Sequence, residues 1–593
     1  MYILKSTVLA LLLTNTCLAQ NMPEYWHYSI KPPLGWNSWD IFGATVTEQQ
    51  IKDQADAMAE HLLPSGYKYL TVDIQWYEPD AKGHSYNPNA ILSMDEFGRL
   101  TPGLKRFPSA ANDQGFKPLA DYVHSKGLKF GIHIMRGIPK QAVEKNTPVF
   151  GTNVKAKDIA ITNSVCPWNP DMYGVDVTIP EGQAYYNSII QMYANWGVDY
   201  IKVDDISRPY NDIQEAEIDA IRNAIDKTGH PIILSLSPGA TPISAGNHVM
   251  YHANLWRITD DFWDSWGLLH AMFERLHEWT PYRGPGHFPD ADMLPVGIID
   301  FNRQTKFTTD EQYTLMSLWA ISRSPLIFGG DMTRLDSFTK EILTNPEMLK
   351  INQESENNRQ ISRNQNLIAW AADIPHSKDK YIALFNAQSK GDNIDFATAD
   401  YVSPVIAGNG SSQEIIVPIR NGKKLVLFLN DGGNGFDWDH AIWVDPVLHG
   451  PNGVKKITDL TWISATSGWG NANVNLTCDN QPLIVNGQFV NGIGTHAPSV
   501  IIYDLPDEYE SFSAKGFVTN DKGSVAFGVL VDQGTLNFPD TNTVKIDFKT
   551  LGIEGNANVY DLWSHKELGV FSKEFSRNLP NHGAGLYRIS SVR

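Results

Sequence analysis

Cysteine is scarce in this sequence, with 3 residues among 593. Cys17 falls in the N-terminal segment, which leaves Cys166 and Cys478 in the body of the chain. Two thiols are too few for a disulfide framework or a thiolate metal centre. Sequence signatures for nicotinamide, phosphate or zinc binding are also lacking. We therefore expect a protein that works without a cofactor and without a catalytic metal.

Basic residues are outnumbered by acidic ones. The sequence has 48 Lys and Arg and 66 Asp and Glu, which gives a formal net charge of -18. Nucleic acids and anionic membranes attract basic patches, so both are poor partners for this chain. Long apolar runs are lacking too, and the N-terminal run at residues 8–13 is too short to span a bilayer. We predict no nucleic-acid partner and no integral membrane segment. A neutral ligand remains compatible with the charge.

The first 19 residues have the pattern of a secretory signal peptide. Lys5 precedes the apolar run, and small residues end at Ala19, so cleavage is expected between Ala19 and Gln20. A lipoprotein leader ending at Cys17 is the alternative, but the polar residues before that cysteine are a poor context for lipidation. The sequence predicts export, either to a periplasm or to the cell exterior.

Between residues 25 and 335, short apolar segments alternate with amphipathic helical patterns. One helical pattern begins after Thr47, which has Gln50 three residues later as a capping box. Such alternation over about 300 residues is typical of a (β/α)₈ barrel. A doubly wound sheet is the alternative, but no glycine-rich phosphate loop follows the first predicted strand. The predicted strands lie at residues 34–39, 69–76, 129–135, 200–205, 231–237, 254–261 and 325–330.

From about residue 340 the helical periodicity fades. Alternating β-type runs appear between Gly, Asn and Asp turns, and they predict antiparallel sandwich strands. The predicted fold class is therefore α/β, with a (β/α)₈ barrel followed by at least one all-β domain.

Aspartates follow the predicted barrel strands at five places. Side chains at the carboxyl ends of barrel strands converge on one mouth, where catalysis is built. A single aspartate in this position is often a helix cap, but capping does not readily explain five on one rim. The residues are Asp40, Asp73, Asp204 with Asp205, Asp260 with Asp261, and Asp292.

The two-residue period of a strand selects one aspartate from each pair. Lys202 and Asp204 share a face, and so do Arg257 and Asp261. A lysine beside Asp204 favours its ionised form, which a nucleophile needs. Two carboxylates that face each other across a sugar make a glycosidase, and a separation of about 5–5.5 Å gives retention of configuration. The sequence itself supplies no distance.

Five motifs in this order resemble glycoside hydrolase family 27, which contains α-galactosidases and α-N-acetylgalactosaminidases. They are PPLGWNSW at 32–39, YLTVD at 69–73, WGVDYIKVD at 196–204, WR at 256–257 and PDADML at 289–294. The resemblance implies that Asp204 is the nucleophile and Asp261 the general acid/base. It also implies substrate contacts from Trp39, Asp73, His133, Lys202, Ser237, Arg257 and Asp292.

The sequence departs from the α-galactosidase pattern at three positions. Ile74 follows Asp73 where the family usually has a second acid, and His133 replaces a pocket tyrosine. Ser237 replaces a glutamate, which leaves more room beside the sugar 2-position, as in α-N-acetylgalactosaminidases. The resemblance implies an exo-acting retaining hydrolase of oligo- or polysaccharides with a terminal α-linked sugar. Among such activities, α-galactosidase is the first choice. The alternatives are an α-N-acetylgalactosaminidase, an isomalto-dextranase-like α-glucan hydrolase, and a non-catalytic glycan-binding protein.

The C-terminal part resembles the family's β-sandwich in two pieces, which we place at residues 336–400 and 540–593. The intervening residues 401–539 contain WIS at 462–464 and GIGTHA at 492–497, which resemble an NPCBM carbohydrate-binding module. The run at 425–443 looks like the usual end of that module but comes first, as in a circular permutation. A spacer without sugar affinity is the alternative, and the Asp-rich turn of this run is a weaker candidate for calcium.

Overall fold

The computed structural model describes residues 22–392, 394–408, 411–435 and 438–592. The predicted signal peptide lies outside the described residues. The chain forms two compact units. The first contains the chain up to Asp261 together with Glu278–Gln304 and Arg323–Glu354. The second contains Phe262–His277, Thr305–Ser322 and the chain from Ser355 onward.

The first unit contains a closed ring of eight parallel strands, each paired with its neighbours in sequence. Leu294, just beyond the seventh strand, pairs in parallel with Phe328 of the eighth and closes the ring. This ring confirms the predicted barrel. The strands are β1 Leu34–Asn37, β2 Tyr69–Val72, β3 Lys129–Met135, β4 Tyr200–Asp204, β5 Ile233–Leu236, β6 Leu255–Arg257, β7 Phe288–Asp290 and β8 Leu326–Phe328.

Helices follow the strands, and their ends obey local sequence signals. Thr47 accepts from the Gln50 backbone while the Gln50 side chain accepts from the Thr47 backbone, so the predicted capping box is present. The helices are α1 Trp39–Phe42, α2 Glu48–His61, α3 Lys117–Ser125, α4 Lys140–Lys145, α5 Ala156–Ile159, α6 Pro180–Trp196, α7 Asp212–Thr228, α8 Gly246–Met250, α9 Trp266–Glu278, α10 Thr309–Ser322, α11 Ser337–Thr344 and α12 Pro346–Glu354.

Two small sheets are formed by loop segments of the barrel. Ile138–Pro139, Met172–Val175 and Ala160–Ile161 form a three-stranded antiparallel sheet between β3 and α6. Ile298–Ile299 and Arg303–Gln304 form a hairpin after β7. These loops extend beyond the carboxyl ends of the strands, where barrel active sites are built.

The C-terminal sandwich lies in the second unit. Its core is lined by alternating apolar residues from both sheets, such as Ile382, Val544 and Tyr587. The larger sheet contains, in spatial order, Glu356–Asn364, Leu367–Asp373, Lys380–Asn386, Gly583–Ser591, Asn556–Asp561 and Lys566–Ser572. Thr541–Asp547 and Glu574–Pro580 form the smaller sheet.

The segment between the two halves of this sandwich folds as two antiparallel sheets around a core of their own. The first sheet has the order Tyr401–Val402, Ser524–Asp532, Lys424–Asn430, Ser499–Asp504 and Ser464–Ala465, with Ile406–Ala407 also paired to Ser524–Asp532. The second has the order Ser412–Pro418, Ser511–Val518, His440–Gly450, Gly492–His496 and Asn473–Val474, with Gly453–Lys456 also paired to His440–Gly450. A separate hairpin joins Ile484–Val485 to Gln488–Phe489.

The run at 425–443 supplies a central strand to each sheet of this module. Lys424–Asn430 lies between Ser499–Asp504 and Ser524–Asp532, and His440–Gly450 lies between Ser511–Val518 and Gly492–His496. The run is therefore integral to the module. In the described part of the chain, no helix combines the length and hydrophobicity needed to cross a bilayer.

Candidate active site

The aspartates predicted for the barrel mouth all lie at or just beyond strand ends. Asp204 is the last residue of β4, Asp73 follows β2, and Asp292 lies two residues after β7. Asp261 comes four residues after β6, and Asp40 lies in α1 directly after β1. Of these five, all but Asp261 are buried, with 7% or less of the residue exposed.

Asp204, the predicted nucleophile, is held by two donors. His133 Nε2 lies 2.7 Å from its Oδ2, and the backbone N–H of Asp205 donates to its Oδ1 over 2.8 Å. Neighbouring strands create the first contact, since β3 and β4 pair with His133 opposite Lys202. Because an ionised carboxylate only accepts, Nε2 of His133 carries the hydrogen. Both contacts fix the orientation of the carboxylate.

Lys202 bonds to Asp73 rather than to Asp204. Its Nζ lies 3.0 Å from Asp73 Oδ2, which also accepts from Asn37 Nδ2 over 2.7 Å. Burial by itself opposes the charge on Asp73, but the Lys202 ammonium and His133 outweigh it and lower the pKa of Asp73 to about 2. Burial likewise opposes the charge on Lys202, and the carboxylates of Asp73 and Asp204 raise its pKa above the usual range. This buried pair presents fixed charges of both signs.

Arg257 joins three other predicted site residues. Its Nη1 lies 2.9 Å from Asp292 Oδ1 and 3.5 Å from Ser237 Oγ, and its Nη2 donates to Asp261 Oδ1 over 3.1 Å. The Asp261 side chain is 59% exposed, whereas that of Asp204 is 10% exposed. The two carboxylates predicted to act as a pair therefore have opposite environments.

The other member of each aspartate pair has a different neighbour. Asp260 is exposed and forms an ion pair with Arg208. Asp205 is buried and lies 2.9 Å from Arg136 Nη2, while Arg136 Nη1 bonds Glu217 of α7. Burial raises the pKa of Asp205 to about 6, although Arg136 opposes that shift. The two-residue period thus separates the predicted catalytic residues from two aspartates with partners of their own.

Asp40 is a buried carboxyl group at the same rim. Burial, followed by the charge of Asp292, raises its pKa well above the usual range. Its Oδ2 is buried and forms no hydrogen bond with any described residue. An uncharged acid suits this position, because an unpaired buried charge is costly.

An aromatic cluster lies beside these carboxylates, and two of its members come from loops. The ring of Trp39 stacks on Tyr86 with 6.1 Å between centroids, and Trp168 lies 5.4 Å from Tyr86. Burial and the charges of Asp204 and Asp73 raise the pKa of Tyr86 above its usual range, which places this phenol close to the site. The sequence did not indicate Tyr86, because it lies in an irregular loop without periodicity.

Eight of the nine predicted site residues thus fall into three bonded groups, and the ninth, Trp39, belongs to the aromatic cluster. The groups are Asp73 with Lys202, His133 with Asp204, and Arg257 with Ser237, Asp261 and Asp292. Carboxylates gathered with fixed charged donors at a barrel mouth are the arrangement that glycoside hydrolases use. A family profile described as alpha galactosidase A matches residues 31–142 and 173–354. The chain belongs to glycoside hydrolase family 27, which confirms the resemblance seen in the sequence.

Two further profiles match the C-terminal half. One, described as the NPCBM/NEW2 domain, matches residues 453–551, and the alpha galactosidase C-terminal beta sandwich domain matches 522–589. The first match begins beyond the run at 425–443 that supplies central strands of the module. The predicted presence of an NPCBM-type module and a family sandwich is confirmed.

Curated relatives match somewhat more than half of this chain, and several solved structures match nearly all of it. A crystal structure of a family 27 β-L-arabinopyranosidase from Geobacillus stearothermophilus is 35% identical, covers 97% of this chain and 100% of its own, and has a TM-score of 0.70. Alpha-galactosidase A of Cellvibrio japonicus is 31% identical over 54% of this chain and 67% of its own. Alpha-N-acetylgalactosaminidase of Homo sapiens is 30% identical over 54% and 69%.

Proposed function

We propose that this enzyme is a retaining exo-hydrolase of terminal α-D-galactopyranosides and of their counterparts without C6, β-L-arabinopyranosides, with the arabinosides preferred. The observation that carries the mechanism is the contrast between Asp204, buried under two donors, and Asp261, exposed beside Arg257. A nucleophile needs a fixed, ionised carboxylate, whereas a group that exchanges protons with leaving group and water needs access to solvent.

In the proposed reaction, Asp204 attacks the anomeric carbon while Asp261 gives its proton to the leaving glycosidic oxygen. This step forms a bond between the Asp204 carboxylate and the sugar, and it releases the aglycone as an alcohol. Asp261, now a base, takes a proton from water, whose oxygen attacks the same carbon and frees Asp204. Configuration is retained because the centre is inverted twice.

Five further site residues are proposed to bind sugar hydroxyl groups. Asp73 and Lys202 offer an acceptor and a donor from one buried ion pair. Arg257 and Asp292 offer a second such pair, next to the small hydroxyl of Ser237. Paired charges of this kind keep their orientation without substrate, so little ordering is required on binding.

The arabinoside preference rests on Ile74. The two sugars have the same ring configuration, and galactose differs only by its hydroxymethyl group. Ile74 is buried, apolar and adjacent to Asp73, at a position where α-galactosidases usually carry a second acid. A site lacking that acid offers one polar partner fewer to the extra hydroxyl group. The β-L-arabinopyranosidase of Geobacillus stearothermophilus, which matches nearly the whole chain, supports the preference for arabinosides.

A panel of nitrophenyl glycosides tests the proposal. We expect turnover of β-L-arabinopyranoside and α-D-galactopyranoside, with kcat/KM about 10-fold higher for the former. Ile74→Asp is expected to shift the ratio of the two kcat/KM values toward the galactoside by 10-fold or more, which corresponds to roughly one hydrogen bond. The apolar control Ile74→Leu is expected to leave this ratio unchanged. Release of glucose from dextran, or preference for α-N-acetylgalactosaminide, would contradict the assignment of substrate.

The catalytic assignment has its own test. Asp204→Asn and Asp261→Asn are each expected to lower kcat by about 10³-fold or more. A fluorinated glycoside whose covalent intermediate breaks down slowly should label Asp204, and peptide mass spectrometry detects the labelled peptide. Proton NMR should show that the sugar first released has the same anomeric configuration as the substrate. Unchanged turnover in both variants contradicts the roles given to these residues, and no turnover of any glycoside by the unaltered enzyme favours a binding protein.

A further inference from the structure

A second cluster of ionisable side chains lies outside the predicted active site, and we call it the outer cluster. It consists of Glu215 and Asp219 of α7, His248 of α8, and His252 just after α8. His248 Nε2 lies 2.9 Å and His252 Nε2 lies 3.2 Å from the same atom, Asp219 Oδ1. Glu215 Oε1 lies 3.9 Å from His248 Nε2.

The spacing of these residues brings the four side chains together. Glu215 and Asp219 are four residues apart on one helix, and His248 and His252 are four apart on the next segment. Residues separated by four positions lie on the same face of a helix, so Glu215 and Asp219 project from α7 in one direction. The rings of His248 and His252 stack on each other and therefore also lie together. One donor atom each from Asp219, His248 and His252 lies within 4.8 Å of the other two.

The outer contacts of the two imidazoles fix which nitrogen faces the cluster. His252 Nδ1 donates to the backbone carbonyl of His248 over 2.7 Å, and His248 Nδ1 bonds the Tyr210 hydroxyl. Because Nδ1 of His252 is used in this contact, its Nε2 is the nitrogen that faces the Asp219 carboxylate. The Nε2 of His248 faces the same carboxylate, so both rings present one nitrogen to a shared ligand position.

The two rings direct the same nitrogen at the same carboxylate. The two imidazoles stack with 4.1 Å between centroids, so both Nε2 atoms lie against Asp219 Oδ1. One divalent ion bound at this point would take both Nε2 atoms and the Asp219 carboxylate as ligands. Metal-bound histidines usually direct their second nitrogen to a carbonyl or a similar partner, as both rings do here.

We propose that the outer cluster binds one divalent transition-metal ion, of which zinc fits best. Two imidazole nitrogens and two carboxylate oxygens match the tetrahedral preference of zinc, whereas calcium and magnesium prefer oxygen ligands alone. The ion would tie α7 to the segment that follows β5. None of its ligands belongs to the predicted active site, so the role is structural and stands apart from the proposed hydrolysis.

Metal titration of the full-length enzyme tests this proposal. After treatment with EDTA, zinc chloride is titrated by calorimetry, and cobalt chloride is followed by visible absorption. We expect one equivalent of zinc and a cobalt spectrum of tetrahedral intensity. His252→Gln and Asp219→Asn should each weaken zinc affinity by about 100-fold, and Tyr210→Phe, which removes only an outer contact, by about 10-fold.

His124→Gln is the matched control. His124 also bonds an aspartate, Asp199, but Lys129 Nζ lies 3.1 Å from that carboxylate and already supplies positive charge. This variant should bind zinc like the unaltered enzyme. The proposal is overturned if the unaltered enzyme takes up no zinc, if zinc affinity is unchanged in His252→Gln and Asp219→Asn, or if cobalt gives only the weak spectrum of an octahedral aquo ion. Circular dichroism of each variant shows that it is folded.

Discussion

His133 is fully buried, and its imidazole is in hydrogen-bond contact with Asp204. Its Nδ1 is buried and bonds no described residue, while Trp76 Nε1 donates to its backbone carbonyl. The resemblance implied that His133 contacts the substrate. The geometry indicates a different role, in which the ring orients the proposed nucleophile.

The hydrogen bond from His133 should therefore affect catalysis more than binding. We predict that His133→Ala lowers kcat by about 10- to 100-fold, because a charge-assisted hydrogen bond contributes about 1.5–3 kcal/mol. KM should change little. Steady-state kinetics on a nitrophenyl glycoside measure both constants, with His124→Ala on α3 as the control. A rise in KM with kcat preserved would instead indicate direct contact with the sugar.

Asp171 illustrates a residue whose charge works against folding at neutral pH. Burial raises its pKa to about 6, and the hydrogen bonds from Gln75 and Tyr77 offset only part of that effect. Because the folded state favours the protonated form, the stabilising contribution is full below the ordinary value of 3.8 and is lost as the pH rises through about 6.

We predict that Asp171→Asn stabilises the first unit by about 1–2 kcal/mol at pH 7.5, since the amide needs no ionisation. The gain should vanish near pH 3.5. Urea unfolding at the two pH values measures it, and Asp121→Asn, which alters a surface pair with Lys117, is the control. An equal gain at both pH values would show that charge is not the cause.

At the scale of elements, one buried arginine connects β3, α7 and the turn after β4. Arg136 bonds Asp205 and Glu217, and its Nε donates to the Asp205 backbone carbonyl over 2.6 Å. Glu217 also accepts from the Val175 backbone over 2.6 Å. Arg136 therefore fixes the turn that presents the Asp205 N–H to Asp204.

Removal of this arginine leaves two buried carboxylates without their cation. We predict that Arg136→Met destabilises the first unit by about 3–5 kcal/mol, which thermal unfolding detects. Lys126→Met, which breaks an exposed pair with Asp56, should leave the unfolding temperature unchanged. A similar small effect for both variants would mean that Arg136 is not a structural link.

Segments with a regular apolar pattern were predictable from the sequence, and interrupted or irregular ones were not. The repeat of apolar residues located seven barrel strands, although the observed strands are often shorter than predicted. The strand Phe288–Asp290 was missed because Pro289 interrupts its apolar pattern. Loop residues such as Tyr86 were missed for a related reason, since a loop has no period that reports its direction.

At the scale of the molecule, the chain leaves the sandwich for the inserted module and returns to it at neighbouring positions. Asn386 and Asn542, on either side of the insertion, both donate to Asn581 Oδ1 over 3.1 Å. The two ends of the insertion are therefore close together, as an inserted domain requires. Its surface displays Trp469, 39% exposed, with the rings of His440 and His496 beside it.

We predict that Trp469→Ala weakens binding of the enzyme to insoluble polysaccharide by about 10-fold, since an exposed aromatic face stacks on sugar rings. The kcat on a soluble nitrophenyl glycoside should stay the same. A sedimentation assay measures binding. Trp438→Ala is the control, because that exposed ring already lies beneath Lys522. An equal loss of polysaccharide binding in both variants would contradict a specific role for Trp469.

The sequence alone determined the family, the barrel, and the strand ends at which carboxylates gather, because these follow from periodicity and short motifs. Only the tertiary structure decided that Lys202 pairs with Asp73, that His133 reaches Asp204, and that Asp219 meets two histidines. Such contacts join residues 29 to 129 positions apart, and a linear pattern cannot report which side chains face each other across strands and helices.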